Sequence, residues 1–428
     1  MTDQLQDLSA VLVDPGRWPD VARVPSAGLR ATIADRLFDS ILGRLAVRAE
    51  MPDGSVCGAG GPGAPAMVLH RPKDFSHRVG ASGLIGFGES YMAGDWDAPD
   101  LAAVLTVFAE QLASLVPARL QSFRRLAVKA LPSSHTGDQS HTQINIAAHY
   151  DLSNEMFELF LDPSMSYSSA LFDPANEPDG TCDQDLLAAA QVRKIERLLD
   201  AAAVGDGSTV LEIGTGWGEL ALRAAARGAR VHSITLSVEQ AELARARFAA
   251  AGVAHLVEIE VCDYRDTRGQ YDAVVSVEMI EAVGHQFWPH YFSTLAARTK
   301  PGGRAVIQAI TMPHPRMLAT RDTFTWIQKY IFPGGFLPST ESIAADARRA
   351  GLQVQERFAF GQHYARTLRI WQARFGQNAE QVAAAGFDHV FRRMWSLYLA
   401  YSEAGFASGY LDVQQIVLVH PQPAGGSR

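Results

Sequence analysis

The sequence predicts an α/β fold in which a doubly wound parallel sheet follows a smaller α+β domain. Helical and extended segments alternate from about residue 186 onward, and the extended ones are short and nearly all apolar, as in AVVSV at 273–277. The first extended segment runs into a glycine-rich loop in VLEIGTGWGEL at 210–220. Apolar strands separated by helices are typical of a parallel sheet that is covered on both faces.

The elements follow in order along the chain. A helix should begin near Asn154, with Asp151 or Ser153 as its cap. GLQVQERFAF and LDVQQIVLVH read as two further strands at a sheet edge. The patterns predict helices at 186–202, 218–227 and 237–251, and strands at 208–213, 230–235, 256–261, 272–277 and 303–310.

Three regions are predicted. Residues 1–131 form the smaller N-terminal domain, the polar stretch PSSHTGDQSHT at 132–142 is a linker, and 143–428 form the larger domain.

Composition excludes several classes of protein. The chain has 428 residues, of which 47% are hydrophobic and 20% charged, with a net charge of -8, so no basic field indicates nucleic acid. An apolar run long enough to span a membrane is missing from the sequence, and the three cysteines form no CxxC. We therefore expect a cytoplasmic protein. The 13 histidines show no metal-binding pair on a predicted helix, so we expect no catalytic metal.

The glycine loop is compatible with two cofactor classes. A dinucleotide fingerprint, GxGxxG, would place glycine where Glu219 stands. The alternative is the E/D-x-G-x-G-x-G loop of S-adenosylmethionine (SAM) methyltransferases, which Glu212, Gly214, Gly216 and Gly218 satisfy. An acidic residue suits the ammonium group of an amino acid, so the loop favours SAM and leaves a dinucleotide, or a tight turn that binds no cofactor, as the alternatives.

Residues after the next two strands fit the same cofactor. Asp263 in CDYRD is placed to accept a hydrogen bond from an adenine amino group. The second strand ends in SITLSVEQ, without the usual carboxylate for ribose hydroxyls. Thr235, Ser237 or Gln240 would have to bind the ribose by neutral hydrogen bonds.

Several motifs together resemble the cyclopropane fatty acid synthase family. They are GLIGFGESYMAGDWD, HYDLSNEMFELFLDPSMSYSSALF, LEIGTGWGEL, TLSVEQ, CDYRD, SVEMIEAVG and KYIFPGGFLPS, in this order over roughly residues 65 to 420. The resemblance is greatest to the actinobacterial branch linked to tuberculostearic acid, whose methyltransferase makes a 10-methylene-stearoyl chain from oleoyl phospholipid. It also implies cofactor contacts at Tyr167, Ser168, Leu236 and Tyr264.

The resemblance implies a set of catalytic residues. Family members hold a bicarbonate ion as the base, bound by a Cys, a Glu, a His, an Ile main chain and a Tyr. The corresponding positions here are Ser169, Glu281, Gln308, Ile310 and Tyr364. Three match and two depart, Cys to Ser and His to Gln, so the resemblance leaves bicarbonate as the base open. A weaker base should give the substrate cation time for a hydride shift, which favours the methylene product.

An alkene substrate requires a water-excluding channel. Phe324, Trp326, Tyr330, Ile331, Phe332 and Phe336 could line one, and the alternative is that these side chains are ordinary core.

The basic and apolar segment VPARLQSFRRLAVKALP at 116–132 could lie on an anionic membrane or be an ordinary interdomain helix. The N-terminal domain is accordingly expected to be lipid- or membrane-associated.

The leading functional hypothesis is a SAM-dependent C-methyltransferase that acts on an unsaturated acyl chain of a membrane phospholipid. One alternative is true cyclopropane formation, and another is a lipid-binding protein with a degenerate methyltransferase domain. The chain is then peripheral to the membrane, and a homodimer and a separate reductase for the product remain open.

Overall fold

The structure, a computed structural model, describes residues 13–111, 153–173 and 184–421. The predicted linker at 132–142 and the basic segment at 116–132 lie outside the described residues.

Helices and strands are numbered here in chain order. The helices are α1 (Pro19–Ala22), α2 (Leu29–Leu42), α3 (Pro72–Ser82), α4 (Leu84–Met92), α5 (Leu101–Glu110), α6 (Asn154–Glu158), α7 (Gln184–Ala201), α8 (Glu219–Ala226), α9 (Val238–Ala250), α10 (Ile280–Val283), α11 (Trp288–Arg298), α12 (His314–Thr320), α13 (Trp326–Tyr330), α14 (Thr340–Arg349), α15 (Gly361–Gln377), α16 (Ala379–Ala384) and α17 (His389–Ala407). The strands are β1 (Arg48–Glu50), β2 (Val56–Cys57), β3 (Ala66–Leu69), β4 (Trp96–Asp97), β5 (Thr209–Ile213), β6 (Arg230–Thr235), β7 (Val257–Val261), β8 (Tyr271–Val277), β9 (Thr299–Thr311), β10 (Gln353–Ala359) and β11 (Asp412–Val419).

The described chain divides into two compact units. The first contains the described residues up to 111 together with Phe324–Tyr330 and Phe375–Ser408. The second contains the rest of the described chain. Two segments from the C-terminal half thus belong to the first unit, whereas the predicted domains are contiguous stretches of sequence.

The second unit is built on a seven-stranded sheet in the order β10-β11-β9-β8-β5-β6-β7. Strands β5 to β9 pair in parallel, whereas β11 is antiparallel to both β9 and β10. The α/β class is therefore confirmed, and the two C-terminal strands lie together at one side of the sheet as predicted. β9 begins four residues before its predicted start.

Both faces of this sheet are covered, which explains why its strands are apolar throughout. Leu211 and Val274 belong to the buried cluster on one face. Their neighbours Val210 and Val275 belong to the cluster on the other face. Successive side chains of a strand point to opposite faces, so a central strand needs apolar residues at both.

The first unit contains a small sheet in the order β2-β1-β3-β4, in which only the β1–β3 pair is parallel. Helix α17 packs against α4 and α5, and α2 packs against α3. A buried ion pair between Arg78 and Asp95 lies inside this unit. Within the described ranges, no helix has the length and apolar character that crossing a bilayer requires.

Candidate active site

A cavity opens in the second unit where β5, β6 and β8 reach their carboxyl ends. Strand order changes direction here, because β5 lies between β6 and β8, and doubly wound sheets bind their ligands at such a point. The cavity wall includes ten predicted cofactor residues, namely Tyr167, Ser168, Glu212, Gly214, Gly216, Thr235, Leu236, Gln240, Asp263 and Tyr264.

Glycine is required for different reasons at different positions of the loop after β5. All three adopt positive φ, 95° at Gly214, 53° at Gly216 and 90° at Gly218, which favours glycine. A Cβ added at Gly216 would meet no atom within 4 Å, so this residue faces the open cavity. A Cβ at Gly218 would lie 2.8 Å from Phe248 and 2.9 Å from Ala244. Gly218 therefore lets α8 pack closely on α9, and it lies outside the cavity wall.

Glu212 lies on the cavity wall as a buried carboxyl. It accepts a hydrogen bond of 2.5 Å from the Ser233 hydroxyl, which also bonds Thr215 at 2.7 Å. Burial raises the pKa of Glu212 to about 8 despite that bond and the charge of Lys194. A ligand ammonium group beside this carboxyl would favour its charged form, so the site fits the amino end of SAM.

Lys194, on α7, also lines the cavity, and it was not among the predicted site residues. Its Nζ donates to the Ser168 hydroxyl at 2.7 Å. Burial lowers the pKa of this ammonium to about 8, although Glu278 and other carboxylates act in the opposite direction. The ammonium has three protons and one hydrogen-bonded acceptor, so a ligand anion could take the others.

The residues expected at the adenosine end are partly engaged with one another. Asp263 is buried, and its two carboxylate oxygens accept from the Arg265 guanidinium at 2.7 and 2.6 Å. Thr235 donates to the Gln240 side chain at 3.1 Å. Ser237 lies outside the cavity wall. Its hydroxyl caps α9 by accepting a hydrogen bond from the backbone N–H of Gln240. Thr235 and Gln240 thus remain the neutral groups available to a ribose.

Glu278 follows directly after β8, and its carboxylate is the group on which the hydrogen bonds of the site converge. Its Oε1 accepts from the Ser169 amide at 3.0 Å and from the Gln308 side-chain amide at 2.8 Å. Its Oε2 accepts from the Tyr364 hydroxyl at 2.7 Å. Burial raises the pKa of this carboxyl above its usual value, against the effect of the three donors. Because Glu278 also lines the cavity, the site presents a fixed carboxylate to whatever the cavity holds.

Sequence reasoning missed Glu278, although it stands in the motif SVEMIEAVG. Its backbone has φ of 50°, a conformation that costs a non-glycine residue roughly 1 kcal/mol or more. Strained backbone of this kind concentrates at functional sites. Nothing in the spacing of the motif reveals a positive φ, so the sequence contained the residue without a signal for its role.

Three of the five predicted catalytic residues, Ser169, Gln308 and Tyr364, donate hydrogen bonds to the Glu278 carboxylate. The resemblance implied that they would instead bind a bicarbonate ion. Ser169 uses its main-chain N–H, and its hydroxyl donates to the Ala170 carbonyl at 3.1 Å. Gln308 and Tyr364 use their side chains on Glu278, and Gln308 accepts in turn from Gln415 at 3.1 Å.

The other two catalytic residues pair with each other. Glu281 Oε1 accepts from the Ile310 amide at 2.5 Å, and Glu281 Oε2 is buried with no hydrogen-bond partner in the described part of the chain. Burial, and next the charge of Glu278, raise the pKa of Glu281 to about 8. Glu278, whose carboxylate accepts from three donors, is the member of the pair better held as an anion.

A bicarbonate ion does not fit this arrangement. The donors at Ser169, Gln308 and Tyr364 are already used by the Glu278 carboxylate. An anion in the same place would lie against a carboxylate, and like charges at short distance are strongly disfavoured in a buried site. The side chain of Glu278 stands where the resemblance implied a bound ion.

The predicted channel residues are divided between the two units. In the first unit Trp326 is buried with its ring nitrogen 3.4 Å from the Met92 sulfur, and Tyr330 donates to Glu89 at 2.9 Å. In the second unit Phe336 stacks on Trp288 at 5.8 Å. Trp326 and Tyr330 thus have core contacts, which was the alternative considered for them. None of the six predicted channel residues, Phe324, Trp326, Tyr330, Ile331, Phe332 and Phe336, lines the cofactor cavity.

The chain is similar to known proteins over most of its length. The sequence profile of the mycolic acid cyclopropane synthetase family matches residues 138–416. The tuberculostearic acid methyltransferase UfaA1 of Mycobacterium tuberculosis is 54% identical over 99% of this chain and 100% of its own length. The cyclopropane-fatty-acyl-phospholipid synthase of Escherichia coli K12 is 32% identical over 83% of this chain and 88% of its own.

A solved structure of similar fold over part of this chain is a complex with a cofactor product. It is the mycolic acid cyclopropane synthase CmaA1 in complex with S-adenosylhomocysteine (SAH) and CTAB. It has a TM-score of 0.58 and 30% identity, and the match covers 64% of this chain and 97% of that one.

Proposed function

Because the chain belongs to the mycolic acid cyclopropane synthetase family of SAM-dependent enzymes that act on fatty acyl chains, we propose that it methylates the double bond of an oleoyl phospholipid. The proposed product is a 10-methylene-stearoyl chain, the precursor of tuberculostearic acid. The tuberculostearic acid methyltransferase with 54% identity supports this substrate. The single observation that carries the mechanism is the Glu278 carboxylate held by three donors at the cavity.

The residues around the cavity fit SAM at both ends of its amino acid part. When bound, SAM supplies a methyl group on a positively charged sulfur, which is electrophilic enough for an isolated alkene. Glu212 would accept hydrogen bonds from the ammonium group. Lys194 and Ser168, joined by their 2.7 Å hydrogen bond, would bind the carboxylate. The open space at Gly216 leaves room for the cofactor to approach the backbone.

Two aromatic side chains form a wall of the cavity that would help to exclude water. Trp217 and Tyr167 line the cavity, and both rings pack on Phe157 of α6, with centroids 5.0 and 5.2 Å away. The Trp217 ring nitrogen donates to Asn154 at 2.8 Å, which fixes the ring. Aromatic faces favour a nearby cation, and the exclusion of water protects a cationic chain from hydration.

The reaction must form one carbon–carbon bond and release one proton. The π electrons of the alkene form the bond to the methyl carbon as the carbon–sulfur bond breaks, and the neighbouring chain carbon becomes cationic. A hydride then moves from the methylated carbon to that cation. Loss of a proton from the added methyl group gives the methylene, with the C–H electron pair forming the new double bond.

Glu278 is the group we assign to accept that proton. Its raised pKa makes it a stronger base than an ordinary glutamate, and its three donors keep the carboxylate in one position. The expectation of a weaker base was based on the changes from Cys to Ser at position 169 and from His to Gln at position 308. In the structure Gln308 instead orients a carboxylate that belongs to the chain.

Ring closure would use a proton of the same methyl group, taken before the hydride shift. The two products have equal mass, so the choice depends on when the methyl group comes within reach of Glu278. The assignment of the methylene rests on the tuberculostearic acid relative, which is more similar than the cyclopropane synthase.

The test is to incubate the purified protein with SAM and dioleoyl phospholipid and to analyse the fatty acid esters. Mass spectrometry should show the addition of one CH2 unit to the oleoyl chain, and vesicles without SAM are the control. No added mass, with the protein folded and SAM bound, would contradict the proposal and favour the lipid-binding alternative.

The binding of the SAM carboxylate by Lys194 has its own test. We expect Lys194→Met to lower SAM affinity about tenfold to a hundredfold, the value of one charge-assisted contact. Decarboxylated SAM is the matched control ligand, and its affinity should fall much less. Calorimetric titration of both ligands gives the comparison, and an equal loss for the two would show that Lys194 has only a structural role.

A further inference from the structure

Helix α2 of the first unit has an apolar stripe on its exposed side. Leu29 is 77% exposed, Ile33 56% and Leu37 45%. These residues are four apart, and at 100° per residue they lie within about 80° of one another on the helix surface. Three large aliphatic side chains in a row are unusual on the surface of a helix that is already packed on its other side.

The packed side of α2 is the opposite one. Ala31 and Leu42 are buried at 6% and 0% exposure. Ala31 lies about 200° and Leu42 about 220° around the helix from Leu29. Both are therefore on the side of the helix opposite the centre of the stripe. Asp35, near the same side, accepts from Ser76 of α3 at 2.8 Å. The contacts of α2 with the other described residues of the unit therefore do not explain the stripe.

Charges are arranged asymmetrically around the stripe. Arg30 lies about 100° and Arg36 about 340° from Leu29, so one exposed arginine borders each side. The acidic residues Asp35 and Asp39 are also exposed, but they lie at about 240° and 280°, farther from the stripe than the two arginines. The charged residues nearest the stripe are therefore both arginines, although the whole chain has a net charge of -8.

We propose that this face of α2, formed by Leu29, Ile33 and Leu37 with Arg30 and Arg36, docks on an anionic phospholipid bilayer. The aliphatic side chains enter the boundary between headgroups and acyl chains, and the two arginines bind lipid phosphates. The choice of a bilayer over a protein partner follows from this charge pattern. It also rests on the proposed function, in which the acyl chain belongs to a phospholipid.

The test uses vesicles of dioleoyl phosphatidylcholine with and without dioleoyl phosphatidylglycerol. The full chain should float with the anionic vesicles. The triple variant Leu29→Gln, Ile33→Gln, Leu37→Gln keeps good helix formers and should bind at least about tenfold more weakly. The pair Arg30→Gln, Arg36→Gln should weaken binding to the anionic vesicles alone. The matched control is Leu318→Gln, because Leu318 is 48% exposed on α12 of the other unit.

Two further measurements separate the alternatives. Methylation of oleoyl phospholipid dispersed in detergent should be unchanged in the triple variant, so a failure of the proposed function is distinct from a failure of docking. Light scattering gives the mass of each protein in solution. Vesicle binding by the triple variant equal to that of the full chain would overturn the proposal. A dimer that the triple variant converts to monomers, with vesicle binding unchanged, would assign the stripe to a second copy.

Discussion

Glu278 and Glu281 are three residues apart in sequence and differ in what each contacts. Glu278 has three hydrogen-bond donors on its carboxylate and lines the cavity, whereas Glu281 accepts from the Ile310 amide and has a buried oxygen with no hydrogen-bond partner among the described residues. Buried carboxyls that influence each other divide into a charged and a neutral member. The two therefore allow a matched comparison within one site.

Glu278→Gln should lower the turnover number about a hundredfold to ten-thousandfold, because it removes the proton acceptor and keeps the shape. Glu281→Gln should cost less than about tenfold, because an amide resembles the protonated acid that we expect there. Both variants should bind SAM normally by calorimetry. Equal losses of turnover in the two variants would argue against the division of roles.

Glu278→Gly tests whether this side chain replaces a bound ion. The change relieves the backbone at φ of 50° and leaves the donors at Ser169, Gln308 and Tyr364 without a carboxylate. The variant should be nearly inactive, and added bicarbonate should restore part of the turnover in a saturable manner. Chloride at equal ionic strength is the control. Restoration by both salts alike would point to a general salt effect.

The acidic limb of the pH profile should reflect Glu278. The ionised carboxylate is the active form, and its pKa is raised, so turnover should fall as pH drops, at a higher pH than for an ordinary glutamate. Turnover at saturating SAM and lipid, measured between about pH 5 and 9, gives the midpoint. A midpoint near the usual glutamate value would contradict the raised pKa.

At the scale of elements, strands β5 to β8 lie close to where the sequence predicted them, since apolar runs between helices identify buried parallel strands. The early start of β9 was missed because KPGG reads as a turn, yet these residues belong to the strand. The short strands of the first unit carry too few residues for a period-2 pattern.

The candidate site was predictable to a similar extent. The Glu212 loop, Asp263 and Tyr364 stand in recognisable motifs. Lys194 was not predicted as a site residue, because a single lysine in an amphipathic helix normally faces solvent. Only the packing of α7 on the sheet reveals that it is buried.

Substitutions of two glycines in the loop between β5 and α8 should affect different properties, one the stability of the fold and the other the affinity for SAM. Gly218→Ala forces a Cβ against Phe248 and Ala244 and should destabilise the fold by several degrees in melting temperature. Gly216→Ala meets no protein atom and should lower SAM affinity with a smaller thermal effect. Thermal unfolding and calorimetric titration of both variants check the contrast, and the reverse pattern would contradict the placement of the loop.

At the scale of the whole molecule, the proposed methylene product would distinguish the enzyme from its cyclopropane-forming relatives. Proton NMR of the purified ester should show vinylidene signals and lack the upfield signals of a cyclopropane ring. The oleoyl ester treated without enzyme is the control. Ring signals alone would reject the methylene assignment and leave the methyltransferase activity standing.

Strand β11 determines when the seven-stranded sheet can complete its pairing during folding. Gln415 on this strand donates to the Gln308 side chain and to the Lys194 carbonyl, both at 3.1 Å. β11 separates β9 from β10, so neither can complete its pairing until residues 412–419 have been synthesised. Pairings of such long sequence separation form late and slowly. A nascent chain on the ribosome should therefore hold its sheet open, and remain catalytically silent, until this strand has left the exit tunnel.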